Sequence, residues 1–141
     1  MPIGKNNSVI PGCGVHHLAI QCNNLEESLH FYCDVLGMPP VLEFTTARRI
    51  VLVDIGDGSH IELLGPRLDG QLSEIASAPI HPLVHLALTT SDARAAVEKV
   101  RAAGYQVTVE PKDVVLGTLE VTNAFFKGPN DEIIEFFQVK E

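Results

Sequence analysis

The chain has 141 residues, of which 45% are hydrophobic and 20% are charged, values typical of one globular domain. The formal net charge of -8 argues against nucleic acid as the main partner, because phosphate binding needs a positive patch. No run of about 18 apolar residues occurs, so the sequence predicts no membrane span.

The N-terminal segment and the cysteines indicate the compartment. Cys13, Cys22 and Cys33 are odd in number and include no C-x-x-C pair, so we expect no disulfide framework and favour a reducing cytoplasm. No basic segment is followed by an apolar stretch, so no signal peptide is expected. Residues 1–13 are interpreted as a flexible lead-in punctuated by Gly and Pro.

The most informative feature is an internal sequence repeat. Residues 15–20 (VHHLAI) resemble residues 83–88 (LVHLAL), and residues 60–64 (HIELL) resemble residues 133–137 (IIEFF). The histidine motif precedes the glutamate motif by a similar distance in both halves. Two landmarks in the same order indicate a duplicated module.

Each histidine motif is followed by a predicted helix. The start and stop signals are Asn24, Glu27 and Gly37 in the first half, and Ser91 or Asp92 and Gly104 in the second. The apolar stripes have helical spacing and consist of Leu25, Leu29, Tyr32 and Leu36, and of Ala93, Ala96, Val97, Val100 and Ala103.

After each helix the pattern changes to strands. The predicted strands are 41–45, 49–55 and 59–64 in the first half, and 106–110, 119–126 and 132–139 in the second. Turns are predicted at 56–58 and 128–131. Each half is therefore a βαβββ module. A single domain at 14–141 would contain module 1 (14–66), a linker (67–82) with a short helical turn at 72–76, and module 2 (83–139).

Strand alternation groups four polar side chains. Successive strand residues point to opposite faces, so His17, Glu62, His85 and Glu135 each oppose aliphatic neighbours that we expect to pack against the helices. A carboxylate inside an apolar run is costly unless it is paired or bound to a metal. Two imidazoles and two carboxylates suit one divalent ion, with nickel, cobalt, manganese and zinc all open.

Each of the four also has a structural interpretation when taken alone, as a hydrogen-bonded strand histidine or a solvent-facing carboxylate. The matched positions in both halves weaken that interpretation, because it must explain four coincidences. The other histidines lack a partner of this kind in the pattern, and we interpret them as structural or surface residues: His16, His30, His60 and His81.

These motifs resemble the vicinal oxygen chelate superfamily, which contains glyoxalase I, methylmalonyl-CoA epimerase, extradiol dioxygenases and bleomycin-resistance proteins. Residues 15–20 are similar to its opening strand, residues 28–38 to its "FY…VLGM" helix ending, and residues 128–135 to its closing "DPDG…IE" turn and strand. The resemblance covers residues 14–139.

The resemblance implies an α+β fold in which two βαβββ modules form an open, cup-shaped mixed β-sheet around a metal. It also implies a homodimer, with His17, Glu62, His85 and Glu135 as the ligands. Glutamate at the second ligand position is the choice of glyoxalase I, whereas the epimerases typically carry glutamine there. The extradiol dioxygenases use three ligands without it.

The function implied is that of a divalent-metal-dependent lyase or isomerase of the glyoxalase I (lactoylglutathione lyase) type. Proton transfer next to the carbonyl of an α-oxo thioadduct, or a related carbonyl metabolite, would pass through a metal-bound enediolate. Glu135 is the expected base, with Glu62 second. The alternatives are an acyl-CoA (methylmalonyl-CoA-type) epimerase and a metal-free, drug-binding resistance protein. A ring-cleaving dioxygenase would need redox-active iron.

Several positions bear on the substrate. Gln21 and Pro66 stand where glyoxalase I carries an arginine and an asparagine that bind glutathione, so the thiol of the substrate stays open. Arg48 and Arg49 could hold an anionic tail, but a solvated hairpin pair is the simpler interpretation. We expect some of the residues before the last turn to line the cup, mostly as packing: Asn123, Phe125 and Phe126.

Overall fold

The computed structural model describes residues 6–69, 82–128 and 133–141. The chain forms two compact units, one of His17–Val84 and one that joins Met1–His16 to His85–Glu141. The helical turn predicted at 72–76, His81 and residues 129–131 of the predicted last turn lie outside the described residues. The described helices include none that is both long enough and apolar enough to cross a membrane.

The unit His17–Val84 holds the first βαβββ module. Its strands are β1 (Gly14–Gln21), β2 (Pro40–Thr45), β3 (Arg48–Asp54) and β4 (His60–Arg67). They are ordered β2-β3-β4-β1, with β1 parallel to β4 and the other pairs antiparallel. The turn between β3 and β4 follows the prediction, with Gly56 at φ 114° and Gly58 at φ 96°.

The helical part of this module differs from the prediction in its second half. The α1 helix (Leu25–Leu29) is capped by Asn24, whose Oδ1 accepts a hydrogen bond from the Glu27 backbone N–H, as expected. It then continues as a π-helical segment (His30–Val35). The wider turn carries Leu36 out of the predicted buried stripe, and Leu36 is exposed.

The two faces of this sheet pack different residues, as the alternation predicts. The face carrying Leu63 packs against α1 through Leu25. The opposite face, on which Glu62 lies, carries Ala19, Leu52 and Leu64.

The second module has the same order of elements. It consists of β5 (Leu83–Thr89), α2 (Ala93–Ala102), β6 (Val107–Leu116), β7 (Leu119–Lys127) and β8 (Ile133–Val139). The strand order is β5-β8-β7-β6, with β5 parallel to β8 and the other pairs antiparallel. Both modules are thus βαβββ units with mixed sheets, and the predicted α+β fold class is confirmed.

Two details of this module go beyond the sequence interpretation. Asp92, rather than Ser91, caps α2, because its Oδ1 accepts a hydrogen bond from the Ala95 backbone N–H. The predicted strand 106–110 extends to Leu116. Pro111 interrupts the register with β7 between Val109 and Lys112, an irregularity that proline tolerates on an edge strand.

The end of the predicted lead-in is hydrogen-bonded to this second unit. The Thr89 hydroxyl donates to the Gly12 carbonyl oxygen over 2.7 Å, and the Ser91 backbone N–H donates to the Pro11 carbonyl oxygen over 3.0 Å. Gly12 has a φ of 75°, and a Cβ there would lie 3.2 Å from the Ser91 nitrogen. This approach therefore requires glycine. The flexibility of the lead-in stays a prediction.

Candidate metal centre

The first half of the candidate centre lies on the parallel strands β1 and β4. Their register pairs Ala19 with Glu62 and places His17 two residues earlier on the same face. His17 Nε2 lies 3.8 Å from Glu62 Oε2, and both residues are buried. Ala19 is fully buried on the same face and packs with Leu52 and Leu64.

The second half lies on β5 and β8 and repeats this arrangement. The register pairs Ala87 with Glu135, again with a histidine, His85, two residues before the alanine. His85 Nε2 lies 3.1 Å from Glu135 Oε1. Because the two modules share this register, the duplication read from the sequence extends to the placement of the side chains.

The donor chemistry of these residues fits a divalent cation. Imidazole nitrogens and carboxylate oxygens are ligands that zinc and its first-row neighbours accept. Each carboxylate is almost fully buried, which is expensive for a negative charge without a positive partner. Among the described residues, His17 and Glu62 in one unit and His85 in the other are donors of this kind.

Two residues of β7 contact the His85–Glu135 pair. Asn123 Nδ2 donates a hydrogen bond to Glu135 Oε2 over 3.1 Å, and both side chains are buried. The ring of Phe125 meets that of His85 edge to face, with ring centroids 5.6 Å apart. Phe126 points to the other face, where it packs with residues of α2.

A family model decides the relationship of the chain to known proteins. The model of the Glyoxalase/Bleomycin resistance protein/Dioxygenase superfamily matches residues 14–136. The chain belongs to this superfamily. The resemblance that the motifs predicted, to the vicinal oxygen chelate proteins, is thereby confirmed.

Named relatives within the superfamily are similar over most of their length. The lactoylglutathione lyase of Neisseria meningitidis serogroup A is 32% identical over 133 residues, which cover 88% of this chain and 89% of the relative. The probable lactoylglutathione lyase of Vibrio cholerae is 26% identical over 128 residues, which cover 89% of this chain and 90% of the relative.

Solved structures of the superfamily share the fold. The crystal structure of methylmalonyl-CoA epimerase from Mycobacterium tuberculosis superposes with a TM-score of 0.80 and 24% identity, covering 97% of this chain and 94% of that chain. At that identity the likeness concerns the fold alone.

The remaining candidate residues fall outside this centre. Arg49 donates a hydrogen bond from Nε to Glu43 over 2.6 Å and one from Nη1 to Glu26 over 2.5 Å, which supports the structural interpretation of this arginine. These bonds raise the pKa of the guanidinium, chiefly the bond to Glu43. His16 is buried with its ring centroid 4.2 Å from that of Phe137.

The cysteines are free thiols in the described structure. Cys22 is buried, and burial raises the pKa of its thiol, so it is not activated as a nucleophile.

The sequence interpretation missed the contact of Asn123 with Glu135. The sequence signal was an asparagine in the largely apolar segment 121–126, on the strand that precedes the strand of Glu135.

Proposed function

We propose that the protein is a divalent-metal-dependent lyase or isomerase of the glyoxalase I type, which binds one ion through His17, Glu62, His85 and Glu135. The observation that carries the proposal is the repeated register. In each module a histidine precedes an alanine by two residues, and that alanine pairs with a buried glutamate on the parallel strand. A purely structural role gives no reason for the same costly pair to occur twice.

The chemistry that suits these residues is proton transfer next to a carbonyl group. When bound, a divalent ion supplies Lewis-acid stabilisation of the negative charge that develops on the substrate oxygens. Glu135 is the proposed base, with Glu62 second, and each would take a proton from one carbon and return it to the neighbouring carbon. Burial keeps bulk water away from both carboxylates, which would strengthen their electrostatic interaction with the ion.

The substrate class we propose is an α-oxo thioadduct or a related carbonyl metabolite. Relatives named lactoylglutathione lyase, up to 32% identical, support it, and so does glutamate at position 62. Gln21 and Pro66 replace the residues that bind glutathione in glyoxalase I. We therefore propose the type of reaction and leave the thiol of the substrate open. Glutathione is the first thiol to test.

The direct test is turnover of the methylglyoxal–glutathione hemithioacetal by protein loaded in parallel with nickel, cobalt, manganese or zinc. Activity with at least one metal, lost in Glu135→Gln, is expected. Glu120→Gln is the matched control, because Glu120 is an exposed glutamate on β7. Deuterium exchange from solvent into substrate and product would assign the proton-transfer step. A metal-loaded protein without turnover or exchange on hemithioacetals of several thiols would contradict this function.

The alternatives differ in what the same samples would show. An acyl-CoA epimerase would exchange the α-hydrogen of methylmalonyl-CoA and leave the hemithioacetals untouched. A drug-binding resistance protein would be purified without metal and would need none for binding. We further propose that the protein is a cytoplasmic homodimer, and light scattering at increasing concentration would test the dimer.

A further inference from the structure

We propose that Asn123 is a positioning residue that orients the Glu135 carboxylate toward the bound ion. The inference rests on the proposed function, because it assigns a task within that metal centre. Asn123 Nδ2 donates to Oε2 of Glu135 over 3.1 Å, while Oε1 of the same carboxylate lies 3.1 Å from His85 Nε2. The amide therefore holds one oxygen of Glu135 and leaves the other beside the histidine ligand.

The strands make this orientation rigid. In the β7–β8 register Phe125 pairs with Glu135 and Asn123 pairs with Phe137, so strand alternation places both β7 side chains on the face of the carboxylate. Asn123 is 7% exposed and Glu135 is 3% exposed. Buried side chains on paired strands have few rotamers available, so the hydrogen bond fixes the carboxylate plane.

The two ends of the Asn123 amide differ in their contacts. Asn123 Oδ1 is buried and has no hydrogen-bond partner in residues 6–69, 82–128 and 133–141. An unsatisfied buried acceptor is unfavourable, so this penalty must be offset by what the Nδ2 donor does. The Nδ2 donor binds Glu135, a proposed metal ligand. Orienting that carboxylate explains why an amide with a buried, unsatisfied oxygen stands at position 123.

The first module lacks the amide at the corresponding position. There Leu52 pairs with Glu62 as Phe125 pairs with Glu135, and Ile50 pairs with Leu64 as Asn123 pairs with Phe137. Isoleucine cannot donate a hydrogen bond. Asn123 is thus present in the second module only. Sheet packing, which the two modules share, does not account for it.

The test compares metal affinity with stability in the full chain. Asn123→Leu removes the amide and keeps the branching and the number of side-chain heavy atoms, and Thr122→Val is the matched control. Thr122 is a buried neighbour on the opposite face of β7, where its hydroxyl donates to Asp113. Cobalt(II) binding is measured by chelator competition and by the visible spectrum of the cobalt protein, and thermal unfolding is measured on metal-free samples.

We expect Asn123→Leu to weaken cobalt(II) binding by about 10- to 100-fold and to change the cobalt spectrum, as loss of a residue that orients a ligand does. Loss of the hydrogen bond to the buried carboxylate should also lower its metal-free melting temperature, so the affinity and the spectrum carry the test. Thr122→Val should lower the melting temperature and keep the affinity and the spectrum. If Asn123→Leu does not fold, Asn123→Ala removes the donor without added bulk and carries the same expectation for affinity.

The outcomes separate the two proposals. Unchanged cobalt affinity and spectrum in the Asn123 variants, beside a wild-type protein that binds cobalt(II), would overturn the positioning role alone. A lower metal-free melting temperature in Asn123→Leu with wild-type affinity would assign the amide to stability instead. A wild-type protein that binds no divalent metal would overturn the proposed centre, and the positioning role with it.

Discussion

Nε2 of His85 lies 3.1 Å from Oε1 of Glu135, on neighbouring parallel strands of one βαβββ module. The equivalent atoms of His17 and Glu62 in the other module are 3.8 Å apart. The two pairs share a register but differ in detail. We propose Glu135 rather than Glu62 as the main base, and the first prediction tests that order.

The first prediction concerns the two glutamates. Glu135→Gln should lower the turnover of the metal-loaded enzyme by about 100-fold or more, since the amide cannot accept the proton. Glu62→Gln should have a smaller effect. Initial rates on the hemithioacetal at matched metal content measure both. Equal activity of Glu135→Gln and wild type would exclude Glu135 as the base.

The second prediction concerns the packing beneath Glu62. Leu63 is fully buried on the face that α1 covers, so Leu63→Ala should lower the free energy of unfolding by about 2 to 5 kcal/mol. Leu68→Ala makes the same chemical change at a residue that is 67% exposed, and its effect should stay within about 0.5 kcal/mol. Urea unfolding measures both. Similar losses in the two variants would mean that the core is assigned wrongly.

The third prediction concerns the start of α2. Asp92→Ala should destabilise the protein by about 0.5 to 2 kcal/mol, because it removes the acceptor for the Ala95 backbone N–H. Ser91→Ala is the neighbouring control and should have the smaller effect. Thermal unfolding of both variants provides the comparison. A larger loss in Ser91→Ala would transfer the capping role to Ser91.

The fourth prediction concerns acid. Hydrogen bonds from Thr122 and Lys140 lower the pKa of Asp113 to about 2. Because this value is below that of the unfolded chain, about 3.9, Asp113 stabilises the folded state above about pH 4, and its contribution is lost as the pH falls toward 2. Carboxyl titration by NMR should show the low pKa in the wild type and a higher one in Thr122→Val. An ordinary pKa in the wild type would contradict the described contacts.

Much of the fold could be predicted because two periodicities were clear. Strand alternation correctly placed Leu63 on the helix-packed face of β4 and Glu62 on the other. The internal repeat predicted a duplicated module, and the matching strand pairs Ala19–Glu62 and Ala87–Glu135 agree with it.

The rest depended on interactions that sequence spacing does not encode. The π-helical segment His30–Val35 is followed by an exposed Leu36, and the α-helical spacing behind the prediction does not allow for its wider turn. Pro111 normally ends a strand, but β6 continues past it because an edge strand needs hydrogen bonds on one side only. The contact of Asn123 with Glu135 depends on hairpin register, which the turn residues alone did not fix.

Metal stoichiometry tests the central claim most directly. Elemental analysis of protein saturated with nickel or cobalt and then freed of loosely bound metal should give one ion per chain. His17→Ala and His85→Ala should each lower the content to well below one. Two ions per chain, or a full ion retained when either histidine is removed, would mean that the two pairs do not share one cation.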